Sequence, residues 1–450
     1  MGSAFSSQVP KVFWAHNSAH VPVNSRAKTA DATDGRRTIR DLVQEFCPSL
    51  FTPYAPPWWL IGGHMQTLYS VLGDFSKVDK VVYDRTLLRL KDGGTIGLDF
   101  TLPAATGRIF TETTPVVVVL HGLTGGSHES YVRAVVVPAI TPVTEGGLGY
   151  RAVVVNFRAC AGVPLTSPQL YSAAQTDDLR QALLYIAELY PNAPLVGLGF
   201  SLGASILTRY LAQEGEESRL SSGCALGTPW DYLKMNDRSV PSNMFLHEVY
   251  AKGLGSNCQK LLATHAAEIS KFPDSYLASV ASEVISRKSI TAIEFDTVIT
   301  RVVGGPAPLF PFNHVLDFYS HVCVNKLLPD IRVPFLGINS DDDPIANDIP
   351  MDNSNKWVTI AATVAGGHLG WFETEGGPFG NIRRWVRKPV LEWLKVTAED
   401  MAPDHRKPRE IFTEDGWLMQ VGRDDLGVRV VKTGTVVEGV AGEGGLLAGL

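Results

Sequence analysis

The chain of 450 residues lacks several features that would assign it to a functional class at once. It contains no run of about 18 apolar residues, so no transmembrane helix is predicted. Its net charge is −6 and it has no basic stripe, which gives no support to nucleic-acid binding. The stretch GLTGG (122–126) lacks the Lys-Ser/Thr ending of a nucleotide-binding loop. With 45% hydrophobic residues, the chain is instead typical of a globular protein, with one large domain carrying insertions or two moderate domains.

Cysteine is also scarce, and its spacing excludes two kinds of site. The five cysteines are odd in number and widely separated, so they predict neither a zinc site nor a disulfide framework. We expect them to be buried small hydrophobic side chains in a reducing compartment. They are Cys47, Cys160, Cys224, Cys258 and Cys323.

The first residues lack the charged and then apolar layout of a signal peptide, so we expect a cytoplasmic protein. They read MGSAFSS, which fits the N-myristoylation pattern with Gly2 as the acceptor and Ser6 in the required position. One acyl chain binds membranes only weakly, so the expected consequence is a peripheral membrane contact. Cloning vectors also produce an MGS start, and the sequence leaves these two origins open.

Short apolar or β-branched runs alternate with helical segments through most of the chain. TPVVVVLHG (114–122) is a continuous apolar run, which is typical of a strand covered on both faces. Between two such runs, DDLRQALLYIAELY (177–190) has apolar residues at helical spacing and acidic residues in its first turn. This alternation predicts an α/β fold with a mainly parallel central sheet and helices on both faces. The other predicted strands are 150–157, 194–200, 223–229, 333–340 and 357–364.

Composition shifts along the chain suggest its domain organisation. Residues 1–78 are rich in proline and aromatic residues and predict an extension packed on the core. The core domain spans 79–396 and opens with a hairpin that turns at KDGG (91–94). The alternation lapses at about 230–329, which predicts a helical lid insertion. Residues 397–450 are charged and then glycine-rich, and we expect a partly disordered tail.

Ser201 stands where an apolar strand (194–200) meets the helical pattern ASILTRYLA, within the motif G-x-S-x-G. In α/β enzymes such a serine sits on a strained, tight turn, and Gly199 and Gly203 allow chain segments to cross there. The turn exposes the hydroxyl, and the helix N-terminus favours developing negative charge. The motif alone is a weak signal in a chain with 42 glycines, but the strand before it and the helix after it strengthen it.

A nucleophilic serine needs a base and an orienting acid, which in this fold follow it in the order Asp or Glu, then His. His368 follows the last apolar strand and two glycines, where the base is expected. The preceding strand ends in DDDP, at the sheet edge where such sites lie. Spacing alone does not choose among Asp341, Asp342 and Asp343.

An oxyanion hole for this chemistry needs two backbone N–H groups. We expect one from Leu202, the residue after the nucleophile, and the other from Leu123 in the loop after the early strand.

Several stretches together are similar to one group of the α/β-hydrolase superfamily, the AB hydrolase 4 family. That group includes bacterial YheT-type hydrolases, mammalian ABHD1- and ABHD3-like lipases and yeast medium-chain fatty acid ethyl ester synthase/esterases. The similarity spans about residues 57–395. It rests on WWLIGGHMQTLYS (58–70), HGLTGGSHESYVR (121–133), NFRACAGVPLTSPQLYSAAQTDDLR (156–180), GFSLGASIL (199–207), LLPDIRVPFLGINSDDDP (327–344) and GGHLGWFE (366–373).

The resemblance implies a nucleophile at Ser201, a base at His368 and an acid at Asp343, because the acid of the family directly precedes the residue matching Pro344. The chain departs from the family pattern at Ala159, where a glycine is common, and at Ser205, where Asn is frequent. It also matches less well around residues 304–314, which weakens any carry-over of acyl-chain preference.

The residues and the resemblance together predict a serine ester hydrolase. It would cleave short- or medium-chain acyl esters through an acyl-enzyme, without a metal or organic cofactor, and could also transfer the acyl group to an alcohol. The partner would be a small-molecule ester or lipid. Alternatives are a phospholipase-type hydrolase, a tailoring acyltransferase or esterase of secondary metabolism, and a non-catalytic scaffold, which the intact triad disfavours.

Overall fold

The computed structural model describes residues 8–24, 27, 35–102, 110–237, 241–377, 380–402 and 405–439, with backbone alone at 241–248. Gly2, the predicted acyl acceptor, and residues 440–450 of the predicted disordered tail lie outside these ranges.

Sixteen strands are present in the described chain. They are β1 (Lys11–Trp14), β2 (His20–Pro22), β3 (Arg36–Thr38), β4 (Val82–Leu90), β5 (Thr95–Thr101), β6 (Val116–Leu120), β7 (Arg151–Asn156), β8 (Leu195–Phe200), β9 (Ser222–Leu226), β10 (Phe335–Ser340), β11 (Val358–Thr363), β12 (Phe372–Glu375), β13 (Asn381–Arg384), β14 (Ile411–Glu414), β15 (Trp417–Gln420) and β16 (Val428–Glu438).

The same ranges contain thirteen α-helices. They are α1 (Ile39–Phe46), α2 (Gly62–Leu72), α3 (Ser130–Ile140), α4 (Asp177–Leu189), α5 (Leu202–Glu214), α6 (Tyr232–Met235), α7 (Pro241–Thr264), α8 (Ala266–Ile269), α9 (Tyr276–Ser286), α10 (Ala292–Phe295), α11 (Arg301–Val303), α12 (Val315–Val322) and α13 (Arg387–Lys395). Two π-helical turns occur at Asp296–Thr300 and Val396–Asp400.

Twelve strands form one sheet in the order β1-β11-β10-β9-β8-β6-β7-β5-β4-β16-β15-β14. The six strands from β11 to β7 run parallel to one another. The strands outside them pair antiparallel at both edges. The predicted mainly parallel centre is therefore confirmed, and each of its strands overlaps a predicted apolar run.

Helices cover both faces of this sheet, as the continuous apolar strands predict. Side chains of a strand alternate between faces, and in β8 the Gly197 position faces Leu207 of α5 while Phe200 contacts Tyr131 of α3. Helix α4 shares the face of α5, because Arg180 of α4 forms an ion pair with Glu214 of α5 at 2.7 Å.

The terminal segments extend the sheet at its two edges. Strand β1 pairs antiparallel with β11, and β16 pairs antiparallel with β4 and carries β15 and β14 beyond it. The sequence pattern assigned no strand to either segment. In β16 the reason is visible, because most of its residues are exposed and it has no apolar periodicity.

The segment between β9 and β10 is helical and contains α6 to α12. Its helices share a hydrophobic cluster with the loop that follows β7, through residues such as Leu165, Leu170, Leu277 and Ile299. No helix within the described ranges is long and apolar enough to cross a bilayer. All five cysteines are buried as free thiols.

Candidate active site

Ser201 occupies the turn between β8 and α5 in a backbone conformation that non-glycine residues rarely adopt (φ 50°, ψ −117°). Its N–H donates to the Leu226 carbonyl at 2.8 Å, which ties the turn to β9. A Cβ at Gly203 would lie 2.5 Å from the Leu120 carbonyl oxygen, and one at Gly199 would lie 2.6 Å from that of Gly203. Both glycines are therefore needed for the close crossing of β8, α5 and the end of β6.

His368 lies in the loop after β11 and is fully buried. Its Nε2 is 2.8 Å from Ser201 Oγ, and its Nδ1 is 2.8 Å from Asp343 Oδ2. A carboxylate can only accept, so Nδ1 carries the proton and Nε2 is left to accept from the serine hydroxyl. The structure thus brings Ser201, His368 and Asp343 together as one hydrogen-bonded chain.

The three aspartates after β10 make different contacts. Asp343 accepts at Oδ1 from the N–H groups of Ile345 and Ala346, at 2.7 and 2.9 Å, and at Oδ2 from His368. Asp342 instead accepts from the Gly367 N–H at 2.9 Å and so fixes the His368 loop, and burial raises its pKa. Asp341 faces solvent beside Lys11.

Helix α2 supports the His368 loop through a residue that the sequence reasoning missed. Thr67 Oγ1 accepts from the His368 N–H at 2.8 Å and donates to the Gly63 carbonyl at 2.7 Å. A Cβ at Gly367 would collide with that same carbonyl. In the sequence, WWLIGGHMQTLYS is informative only through its resemblance to the family, and no local pattern indicates which of its side chains reaches His368.

The two expected oxyanion donors lie on the same cavity as the serine. Leu202 is the first residue of α5, so its N–H has no partner within the helix. In the loop after β6, the Gly122 and Thr124 N–H groups donate to the hydroxyls of Tyr131 and Tyr171. No acceptor for the Leu123 N–H is found in the part of the chain that the structure describes.

The cavity above Ser201 has a volume of about 150 Å³. It lies between the sheet edge and the helical segment from α6 to α12, which is named the lid here for its position. Its apolar lining comes from both, and includes Leu170, Leu254, Leu261, Phe295, Phe318 and Ile345. The lid also contributes polar atoms from Tyr232, Asp296 and Tyr319. Among the described residues, no group of three or more His, Cys, Asp or Glu side chains is placed to hold a metal ion.

Comparison with known proteins identifies the family. A family model described as the alpha/beta hydrolase fold matches residues 115–268. The embryogenesis-associated protein EMB8 of Picea glauca is 30% identical over 361 residues, covering 78% of this chain and 74% of its own. The chain therefore belongs to the α/β-hydrolase family.

Other relatives place the chain within that family. A monoacylglycerol lipase of Saccharomyces cerevisiae is 29% identical over 413 residues, covering 82% of this chain and 87% of its own. The human phospholipase ABHD3 is 29% identical over 358 residues, covering 78% and 81%. These relatives confirm the resemblance to the ABHD group that the sequence motifs predicted.

Proposed function

We propose that this protein is a serine carboxylic-ester hydrolase with Ser201 as nucleophile, His368 as base and Asp343 as orienting acid. The observation that carries the proposal is the unbroken contact chain, 2.8 Å from Ser201 Oγ to His368 and 2.8 Å from His368 to Asp343. It opens onto a largely apolar cavity suited to an acyl chain.

The contacts of the three residues support the following proton transfers. Ser201 Oγ bonds to the carbonyl carbon as His368 Nε2 takes its proton, and the Leu123 and Leu202 N–H groups stabilise the oxyanion by about 3–4 kcal/mol each. His368 then gives that proton to the leaving alcohol as its C–O bond breaks, which leaves an acyl-enzyme. Water repeats the sequence and releases the acid.

An alcohol in place of water would give a new ester from the same acyl-enzyme. The proposal therefore includes acyl transfer. With added ethanol, the ratio of ethyl ester to free acid measures how much of the acyl-enzyme reacts with the alcohol. Short- or medium-chain acyl groups remain our expectation for the acid portion.

The first experiment is labelling of the folded protein with a fluorophosphonate, combined with Ser201→Ala. We expect the native protein to be labelled, and the variant to be unlabelled with kcat reduced by about a million-fold. Ser205→Ala is the matched control, because Ser205 is a buried serine one turn further along α5 that donates to the Pro229 carbonyl. Persistent labelling of Ser201→Ala, or no labelling of the native protein, would overturn the proposal.

A second candidate is hydrolysis at a lipid surface, as the names of the lipase and phospholipase relatives suggest. Trp58, Ile61 and Leu72 expose 67%, 44% and 60% of their surface on and before α2. In the same helix His64 stacks on Tyr250, which lines the cavity. Equal turnover of a soluble ester with and without vesicles, with no cleavage of the vesicle phospholipid, would count against this candidate.

A further inference from the structure

One carboxylate in the cavity takes no part in the proposed triad. Asp296 begins the π-helical turn Asp296–Thr300, between α10 and α11 of the lid. Such turns are rare and frequently occur at functional sites. This one places both Asp296 and Thr300 on the wall of the cavity that contains Ser201 and His368.

The contacts of Asp296 leave part of its carboxylate unused. Tyr319 donates to Oδ2 at 2.9 Å, and the Thr300 hydroxyl also hydrogen-bonds the carboxylate. No Lys, Arg or His nitrogen of the described chain lies within ion-pair distance of it. A carboxylate accepts about four hydrogen bonds, so acceptor capacity remains for a molecule in the cavity.

The surroundings of Asp296 do not neutralise it. Burial raises its pKa to about 6, so it is mainly ionised at neutral pH. The titratable groups that act on it from neighbouring lid helices are Tyr232, Cys258 and Tyr319, and burial raises the pKa of each of them, which keeps all three uncharged near pH 7. An enclosed charge without a cation is costly for stability, and a substrate donor would compensate for it.

We propose that Asp296 is a specificity-determining residue that accepts a hydrogen bond from a free hydroxyl group of the ester substrate. The inference rests on the proposed esterase function and names a substrate class for it, esters that carry a hydroxyl in the leaving alcohol or in the acyl chain. The rest of the wall is largely apolar and suits the hydrocarbon portion.

The test compares kcat/KM for matched esters that differ in one feature. Comparing mono-octanoylglycerol with propyl octanoate tests hydroxyls in the leaving alcohol. Comparing ethyl 8-hydroxyoctanoate with ethyl octanoate tests a hydroxyl in the acyl chain. We expect the native enzyme to have the higher kcat/KM for the hydroxylated ester in at least one pair. In Asp296→Asn this ratio of kcat/KM values should fall about tenfold or more, because a hydrogen bond to a charged group supplies a factor of that size.

Glu283→Gln is the matched control, since it removes a carboxylate from the same lid at an exposed position paired with Arg287. It should leave the preference unchanged. The preference of the native enzyme should also decrease as the pH falls through about 6, and Asp296→Asn should abolish that dependence. The same triad acts on both esters of a pair, so an effect of pH on the chemical steps cancels in the ratio.

The outcomes separate this inference from the esterase proposal. If fluorophosphonate labels Ser201 and alkyl esters turn over, but Asp296→Asn leaves the hydroxyl preference unchanged, the inference on Asp296 fails alone. A preference for octanoylcholine without any preference for hydroxylated esters would also overturn it. Absence of labelling and turnover would instead refute the esterase itself.

Discussion

Asp296 lies on the wall of the cavity and Asp343 is buried on the far side of His368 from Ser201, and the hydrogen-bond partners of the two carboxylates differ. Asp343 receives three N–H donors, from Ile345, Ala346 and His368. Asp296 receives hydroxyl donors only. Backbone and imidazole N–H groups hold the Asp343 carboxylate in one orientation, as the proposed orienting acid requires, whereas the less saturated Asp296 can exchange partners with a ligand.

This difference predicts that Asp296→Asn stabilises the protein above pH 6. Burial raises the folded pKa from 3.8 to about 6, so the folded state holds this proton more tightly than the unfolded state. The charged carboxylate therefore lowers the free energy of unfolding fully above about pH 6 and not at all below about pH 4. The upper bound of this loss is near 3 kcal/mol. Partial solvent access within the cavity reduces it, and we expect a gain of about 1–2 kcal/mol at pH 8.

Urea unfolding of the native chain and of Asp296→Asn at pH 8 and pH 4 measures this gain. The stabilisation should shrink toward zero at pH 4. A variant that is destabilised at both pH values would mean that Asp296 serves the lid as a structural group, because a structural carboxylate is not improved by losing its charge.

At the scale of elements, α2 is the part of the N-terminal extension that reaches the proposed base. Thr67→Val keeps the shape of the side chain but leaves the buried His368 N–H without an acceptor. We expect kcat to fall about tenfold with KM unchanged, and the free energy of unfolding to drop by about 1–3 kcal/mol. Steady-state kinetics and urea unfolding give both values.

Two further variants separate positioning from general stability. Thr67→Ser retains the hydroxyl and should restore kcat. Thr208→Val removes a buried hydroxyl of α5 that donates to the Ala204 carbonyl, and it should lower stability with little change in kcat. Equal losses of kcat in Thr67→Val and Thr208→Val would contradict a positioning role for Thr67.

The elements also show which parts of the fold and of the candidate site can be predicted from local sequence. The central strands were predictable because an apolar run such as 116–120 is buried on both faces, and Ser201 was predictable because its turn needs small neighbours. Thr67 and Asp296 were not, since one acts through a contact 301 residues away and the other depends on a π-helical turn. Spacing likewise does not decide which of the three aspartates contacts His368. That choice depends on how the loop after β10 folds, which the local sequence does not indicate.

At the scale of the whole molecule, the two chain termini complete opposite edges of one sheet. Residues Lys11 to Trp14 pair with β11, whose carboxyl end leads to His368. The C-terminal strands pair through β16 with β4, which the sheet order places four strands from β8 and thus far from Ser201. Each terminus covers an edge that would otherwise expose unpaired backbone groups.

This arrangement predicts unequal effects of two truncations that each uncover one edge. Removing residues 1–14 leaves β11 paired with β10 but takes away the β1 partner of Thr359 to Ala362, beside the His368 loop. Fluorophosphonate labelling of Ser201 should therefore slow about tenfold or more. Removing residues 408–450 should lower Tm and promote association through β4, with the labelling rate of the folded monomer unchanged within about twofold. Labelling rates on size-selected monomer, with Tm measured in parallel, separate the two effects. Equal slowing in both truncated chains would show that the edges stabilise the sheet as a whole, and that β1 has no particular connection to the base.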